Sequence, residues 1–162
     1  MKPADALAPD PAGGTDDAGG WFAGLVPNAV ALRCLSVELR APREVVVGEP
    51  ARFLVRVRNR APLPVSVRLP TSRLWGWEVD GIPEADERGF EPPATPRRVA
   101  FRRRGIRQFE GRWDGRVRRA GRDGDVWEAT PGEHTLTAYL ATGDAPRKLS
   151  DSVRVTVTTG QP

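Results

Sequence analysis

Between Ala51 and Asn59 the chain reads ARFLVRVRN, with Phe53, Val55 and Val57 at alternate positions and Arg52, Arg56 and Arg58 among the residues between them. A period of two marks a strand with one buried and one wetted face, and a helix cannot hold it on one side. The alternation recurs at 33–40 (Leu35, Val37, Leu39), 65–69 (Val65, Val67, Leu69) and 74–80 (Trp75, Trp77, Val79). It returns at 133–141 (Leu136, Ala138, Leu140) and 150–158 (Val153, Val155, Val157), and shorter apolar runs lie at 44–47, 98–103 and 107–113. Gly- and Pro-rich turn signals separate these runs at roughly 8–12-residue spacing, the pattern of a sandwich or barrel. No window carries a sustained helical stripe. The expectation is an all-β domain over 29–162, with eight or nine strands in two packed antiparallel sheets.

The remaining composition narrows the chemistry. A chain of 162 residues is the size of one domain. One cysteine, Cys34, excludes an internal disulfide and leaves no Cys-based zinc site, and one histidine, His134, excludes multi-histidine metal motifs. No cofactor is expected. No apolar run approaches the roughly 18 residues of a membrane helix, so no membrane partner is expected. Residues 1–28 are expected to be disordered or loosely packed, because the first twenty are mostly Pro, Gly, Ala and Asp, with one Leu. Segment 21–31, WFAGLVPNAVA, either packs on the domain as a turn of helix or irregular strand, or acts as a docking peptide with Trp21 and Phe22 exposed. No secretory pattern is visible near Met1, and with a lone cysteine the expected compartment is the cytoplasm.

Charge is carried almost wholly by arginine, and unevenly. Residues 78–91 hold six acids against Arg88. Residues 97–122 hold Arg97, Arg98, Arg102, Arg103, Arg104, Arg107, Arg112, Arg116, Arg118, Arg119 and Arg122 against Glu110 and Asp114, a net of +9. Two readings stand side by side. In one, the basic block neutralises Glu84, Asp86, Glu87 and Glu91 across the surface, each exposed pair contributing about 0–1 kcal/mol. In the other, it is an anion-binding face for nucleic acid or another polyanion.

The chemistry-bearing residues read first as structural. His134, with Ser150 and Ser152 nearby in sequence, lacks any nucleophile-elbow motif and is expected to pack over a turn rather than to serve a triad. Cys34 reads as a half-buried small residue. Trp75, Trp77 and Trp113 are expected in the core, with Trp113 the one to weigh as a base-stacking platform beside the arginines. Asp123 and Asp125 read as turn formers in the Gly-, Asp- and Arg-rich excursion 114–126, since the spacing of a calcium loop is missing. Trp127 lies at the end of that excursion. No catalytic residue is assigned, and the chain is read as a binding protein rather than an enzyme.

The stretch VRVRNRAPLPVSVRLPTSRLWGWEVDG (55–81) resembles the BsuPI-like intracellular proteinase inhibitor domain. It has a strand ending in Asn, a Pro-containing turn, a strand ending in a Pro/Ser cluster, then an aromatic strand ending in Asp-Gly. RQFEGRWDG (107–115) and TPGEHTLTAYL (130–140) are similar to that family's later strands, although His134 stands where the family usually has an aromatic residue. The resemblance implies an immunoglobulin-like β-sandwich that binds a protein partner, a protease among the candidates. Such an inhibitor would act through a protruding loop, 81–97 or 114–126. The alternative is polyanion or nucleic-acid binding through 97–122. Oligomeric state is not readable from the sequence.

Overall fold

The computed structural model describes residues 26–83, 94–143 and 149–160. Among the described residues a six-residue helix, α1 (Asn28–Arg33), precedes twelve strands rather than the eight or nine expected, the additions being the short Ile82–Pro83 and the two strands within Arg116–Ala129. In chain order these are β1 (Leu35–Arg40), β2 (Glu44–Val46), β3 (Ala51–Asn59), β4 (Val65–Leu69), β5 (Trp75–Val79), β6 (Ile82–Pro83), β7 (Arg97–Phe101), β8 (Ile106–Trp113), β9 (Arg116–Gly121), β10 (Gly124–Ala129), β11 (Gly132–Leu140) and β12 (Ser150–Thr158). Two sheets face each other: one in the order β1-β3-β8, the other β2-β12-β11-β5-β6. The pairings are antiparallel except for β2 on β12, which is parallel. This is an immunoglobulin-like sandwich.

The inward residues of the alternation fill the space between the sheets. Leu39, Phe53, Val55 and Trp113 from one sheet meet Val45, Val79, Leu136, Ala138, Val155 and Val157 from the other, all buried. Trp75 and Trp77 border this core, with Phe53 edge-on to Trp77 at 5.2 Å and Trp75 stacked on Phe109 at 5.7 Å. Asp151 of β12 stitches the sheets at one side, its carboxylate accepting the Leu39 N–H at 2.8 Å.

A second cluster lies beyond the end of β3. Here the ribbon of β3 and β8 bends and continues as β4 paired with β7. Val57, Val65, Val67, Leu69, Val99 and Phe101 pack together, and α1 covers them with Ala31. Helix α1 starts at Pro27, whose carbonyl accepts the Val30 and Ala31 N–H groups. Segment 26–33 is therefore a packed helical turn, one of the two arrangements expected of it; Trp21 and Phe22 lie outside the described residues. Cys34 follows the helix and is half-buried.

The bend is clasped by Asn59. Its side chain is fully buried. The amide donates to the carbonyls of Leu63 (2.8 Å) and Arg102 (2.9 Å), with Phe101 O at 3.5 Å, and its oxygen accepts the Ala61 N–H at 2.9 Å. One side chain thus satisfies backbone groups that a kinked ribbon leaves without ladder partners.

The excursion 114–126 departs from expectation. It is a β-hairpin, β9 on β10, with the turn between Gly121 and Gly124. Its polar composition hid it: an alternation is legible only where one face is buried, and beyond Val117 at its root this ribbon is mostly exposed. Gly124, at φ 127°, closes the turn in a conformation that favours glycine.

Candidate functional site: a rooted β-ribbon

The β9–β10 ribbon is set apart from both sheets. Among the described residues its strands pair only with each other. At its root Val117 is fully buried in the core, whereas Arg119, Ala120, Gly121 and residues 122–126 are exposed. An isolated two-stranded hairpin is marginally stable in water. This one is held at both legs.

On the first leg, the buried Trp113 donates its indole N–H to the Arg116 carbonyl at 2.8 Å. On the second, His134 Nε2 lies 2.6 Å from the Thr130 carbonyl. The other ring nitrogen, Nδ1, lies 2.6 Å from Asp80 Oδ2, and the ring stands edge-on to Trp113 at 6.1 Å. Both partners of the imidazole are acceptors, so both bonds are made together only when both nitrogens carry a proton. Asp80 is fixed in turn by the Thr135 N–H, which donates to Oδ1 at 2.8 Å. Burial pushes the Asp80 carboxyl up. The Thr135 hydrogen bond, the His134 hydrogen bond and charge, and the Arg119 charge outweigh it, so the group is held below the usual aspartate value.

His134 therefore packs beneath a turn, as its position in the sequence implied, and both ring nitrogens are engaged. Ser152 lies elsewhere, its hydroxyl 2.8 Å from Thr137 on the outer face of the five-stranded sheet. Trp113 is 3% exposed, which removes it as a stacking platform for bases. What the sequence concealed is the joint role of Trp113 and His134. They are core residues by pattern, yet their polar ring atoms point at the two legs of the ribbon.

The eleven arginines of 97–122 are distributed over several surfaces. Arg97 and Arg98 lie on β7, Arg102, Arg103 and Arg104 at the β7–β8 turn, and Arg107 and Arg112 on β8. Arg107 reaches the Ala100 carbonyl at 3.0 Å and lies 5.3 Å from the centre of the Phe101 ring. Arg112 sits beside Glu110 at 3.7 Å. Arg116, Arg118, Arg119 and Arg122 belong to the ribbon, where Asp114, Asp123, Asp125 and Glu128 match them in number. Arg118 bonds Asp125 across the strands at 3.2 Å, and Trp127 lies directly opposite Arg118 in the register. Loop residues 84–93, with Glu84, Asp86, Glu87 and Glu91, lie outside the described residues, and so does their pairing with these arginines.

No group of three or more His, Cys, Asp or Glu among the described residues is arranged to hold a metal ion. No helix of the described residues is long and apolar enough to cross a membrane. No curated protein matches the chain by sequence. Among solved structures, the chain is similar to the CARDB domain of the PF1109 protein from Pyrococcus furiosus, crystallised with di-metal ions. That likeness has 14% identity and a TM-score of 0.48, over 78% of this chain and 94% of that one. It is also similar to a beta-glucosidase from Listeria innocua in complex with glucose, at 12% identity and a TM-score of 0.46, covering 78% of this chain but 16% of the glucosidase. A b-glucosidase from Erythrobacter marinus is similar at 15% identity and a TM-score of 0.44, over 76% of this chain and 16% of that one. A family model described as a family of unknown function, DUF7974, matches residues 23–158, from ahead of α1 to the end of β12. By the extent of that match, the chain belongs to the DUF7974 family.

Proposed function

We propose that this domain is a cytoplasmic protein-binding module, not an enzyme, and that it presents the β9–β10 ribbon to an extended segment of a partner protein. One observation carries the reading: the ribbon keeps both outer strand edges unpaired among the described residues while both of its legs are bonded to buried rings. Unpaired edges are templates for strand addition, in which backbone hydrogen bonds supply affinity and alternate side chains supply selectivity. Anchoring the stem lowers the ordering cost of binding. Val126, 42% exposed, and the half-buried Trp127 offer apolar contacts on opposite faces of the ribbon. A protease cleft, which takes up extended backbone, is one such partner, and the resemblance to the BsuPI-like inhibitors supports it. We favour this over polyanion binding through 97–122 because the ribbon arginines meet an equal number of acids and the others are divided among separate surfaces.

The test replaces residues 119–126 by an Asn-Gly turn. A photo-crosslinker at Val126, with one at Arg154 on the far sheet as reference, identifies the partner, whose affinity is then measured with purified proteins. Crosslinking from Val126 alone, and a loss of at least tenfold in affinity in the shortened protein at unchanged melting temperature, are expected. Equal crosslinking from Arg154, or full affinity without the ribbon tip, overturns the reading. A panel of cytoplasmic subtilisin-type proteases decides the inhibitor version: no slowing of cleavage at micromolar protein removes it.

A further inference from the structure

The outer face of the three-stranded sheet carries more positive charge than its acids answer. Arg40, Arg52, Arg56, Arg58 and Arg112 point outward from it, with Arg60 just past the end of β3, against Glu38 and Glu110. Both glutamates are already engaged. Glu38 takes two contacts from Arg40, each at 2.7 Å. Glu110 lies between Arg52 at 3.5 Å and Arg112 at 3.7 Å. Arg56 is steadied by Gln108, whose side-chain oxygen accepts its Nε–H at 3.2 Å. The Arg58 and Arg60 guanidiniums have no hydrogen-bond or ion-pair partner among the described residues.

These last two arginines, with Arg56, line a hollow of about 300 Å³ whose other walls include Ser36, Glu38 and Ile106. That volume is at the small end of ligand sites, which run from about 300 to 1,000 Å³. The register places Ser36, Arg58 and Ile106 side by side in one row across β1, β3 and β8. The row therefore sets a hydroxyl, a guanidinium and an apolar side chain next to one another. Ile106 is 54% exposed.

We infer that this hollow binds a phosphate monoester whose other end is apolar. A dianionic phosphate balances the two guanidiniums that lack a carboxylate, and planar guanidinium forks match its oxygens in pairs. Ser36 adds a hydroxyl donor, and Ile106 takes the apolar body of the ester. The site is separate from the ribbon; it lies at the end of β3 where the β7–β8 turn, carrying Arg102, Arg103 and Arg104, meets the chain at Ala61, whose carbonyl accepts the Arg104 N–H at 3.1 Å.

The test titrates the intact protein with phenyl phosphate, inorganic phosphate, phenyl sulfate and a single-stranded oligonucleotide, by calorimetry and by amide chemical shifts. Saturable binding of phenyl phosphate is expected, several-fold tighter than inorganic phosphate and about tenfold tighter than the monoanionic phenyl sulfate. Arg58→Gln and Arg60→Gln each weaken it at least tenfold, Ile106→Ser removes the advantage of the phenyl group, and Arg154→Gln on the opposite sheet leaves it unchanged. These substitutions lie on exposed side chains, so the fold is retained and melting curves check it. No saturation at 10 mM phenyl phosphate, or binding indifferent to Arg58→Gln and Arg60→Gln, overturns the inference. Oligonucleotide binding that depends on Arg58 without phenyl phosphate binding also overturns it, in favour of a nucleic-acid strand.

Discussion

The two sheets present outer faces built from the same alternation, yet the faces are chemically unlike. On the five-stranded sheet three outward pairs meet across strands: Thr137 with Ser152 at 2.8 Å, Thr158 with Glu44 at 3.0 Å, and Arg154 with Glu133 at 3.4 Å. On the three-stranded sheet six arginines surround two glutamates, and Arg58 stands in register with a serine and an isoleucine. Alternation decides which residues face water. Register decides whether a charge meets its opposite, and an imbalance left in register marks a surface available to a ligand.

The sheets also differ in how a glycine meets an aromatic ring. In the three-stranded sheet Gly111 faces inward opposite Phe53, and a Cβ there would lie 2.1 Å from the ring. In the five-stranded sheet Gly76 faces outward opposite Tyr139, with the corresponding closest approach 2.7 Å. Phe53 is locked in the core at 2% exposure, whereas Tyr139 is only half-buried. Gly111→Val is therefore expected to cost about 3 kcal/mol or more, lowering the melting temperature by about 10 °C. Gly76→Ala, where the tyrosine ring can swing outward, is expected to cost about 1 kcal/mol. Equal losses in urea unfolding would break the contrast between a fixed and a yielding ring.

A smaller effect separates a buried polar group of one sheet, Asn59, from an exposed one beside the other, Asp80. Asn59→Ala strands carbonyls of the bend, for an expected loss of about 2–3 kcal/mol that is the same at pH 7 and pH 4, because the amide does not titrate. Asp80→Asn, at the end of β5, behaves differently. The native carboxylate is held below its usual value, so its stabilisation is complete above the unfolded aspartate pKa of about 3.9 and is lost as pH falls through the folded value. The deficit of Asp80→Asn should be full at pH 6 and should shrink as pH falls below about 4. A deficit independent of pH between 6 and 3 would show that Asp80 acts as a neutral hydrogen-bond partner.

The smallest expected effects lie on the outer faces. Arg154→Gln removes an exposed ion pair and should change stability by less than about 0.5 kcal/mol, in the unfavourable direction. Arg58→Gln removes an unmatched charge and should be neutral or slightly stabilising. If Arg58→Gln costs more than Arg154→Gln in low salt, the charge asymmetry between the faces is not as described.

Much of the core was legible from residue type alone. Phe53, Val55, Val57, Leu136, Val155 and Val157 alternate where they are buried, and Trp113 reads correctly as core, while Trp75 and Trp77, expected there too, are half-buried at its border. The ribbon was not legible, since Arg116–Ala129 keeps few apolar positions in phase and reads as a loop until its cross-strand pairing is seen. The hollow was not legible either. Arg56 and Arg58 showed only that they point outward, and nothing in the order of residues brings Ser36 and Ile106 beside Arg58, from positions 22 and 48 residues away in the chain.

The order of amino acids by itself determined the β class, the inward-facing residues and the scarcity of metal-ligating side chains. Each follows from composition or from a period of two, which are properties of neighbours along the chain. The parallel seating of β2 on β12, the clasp of Asn59 over the bend, the engagement of the ribbon's legs by Trp113 and His134, and the excess charge on one face were decided only by tertiary structure. Each depends on which distant strand lies alongside, and so on the register in which the strands pack around a shared core.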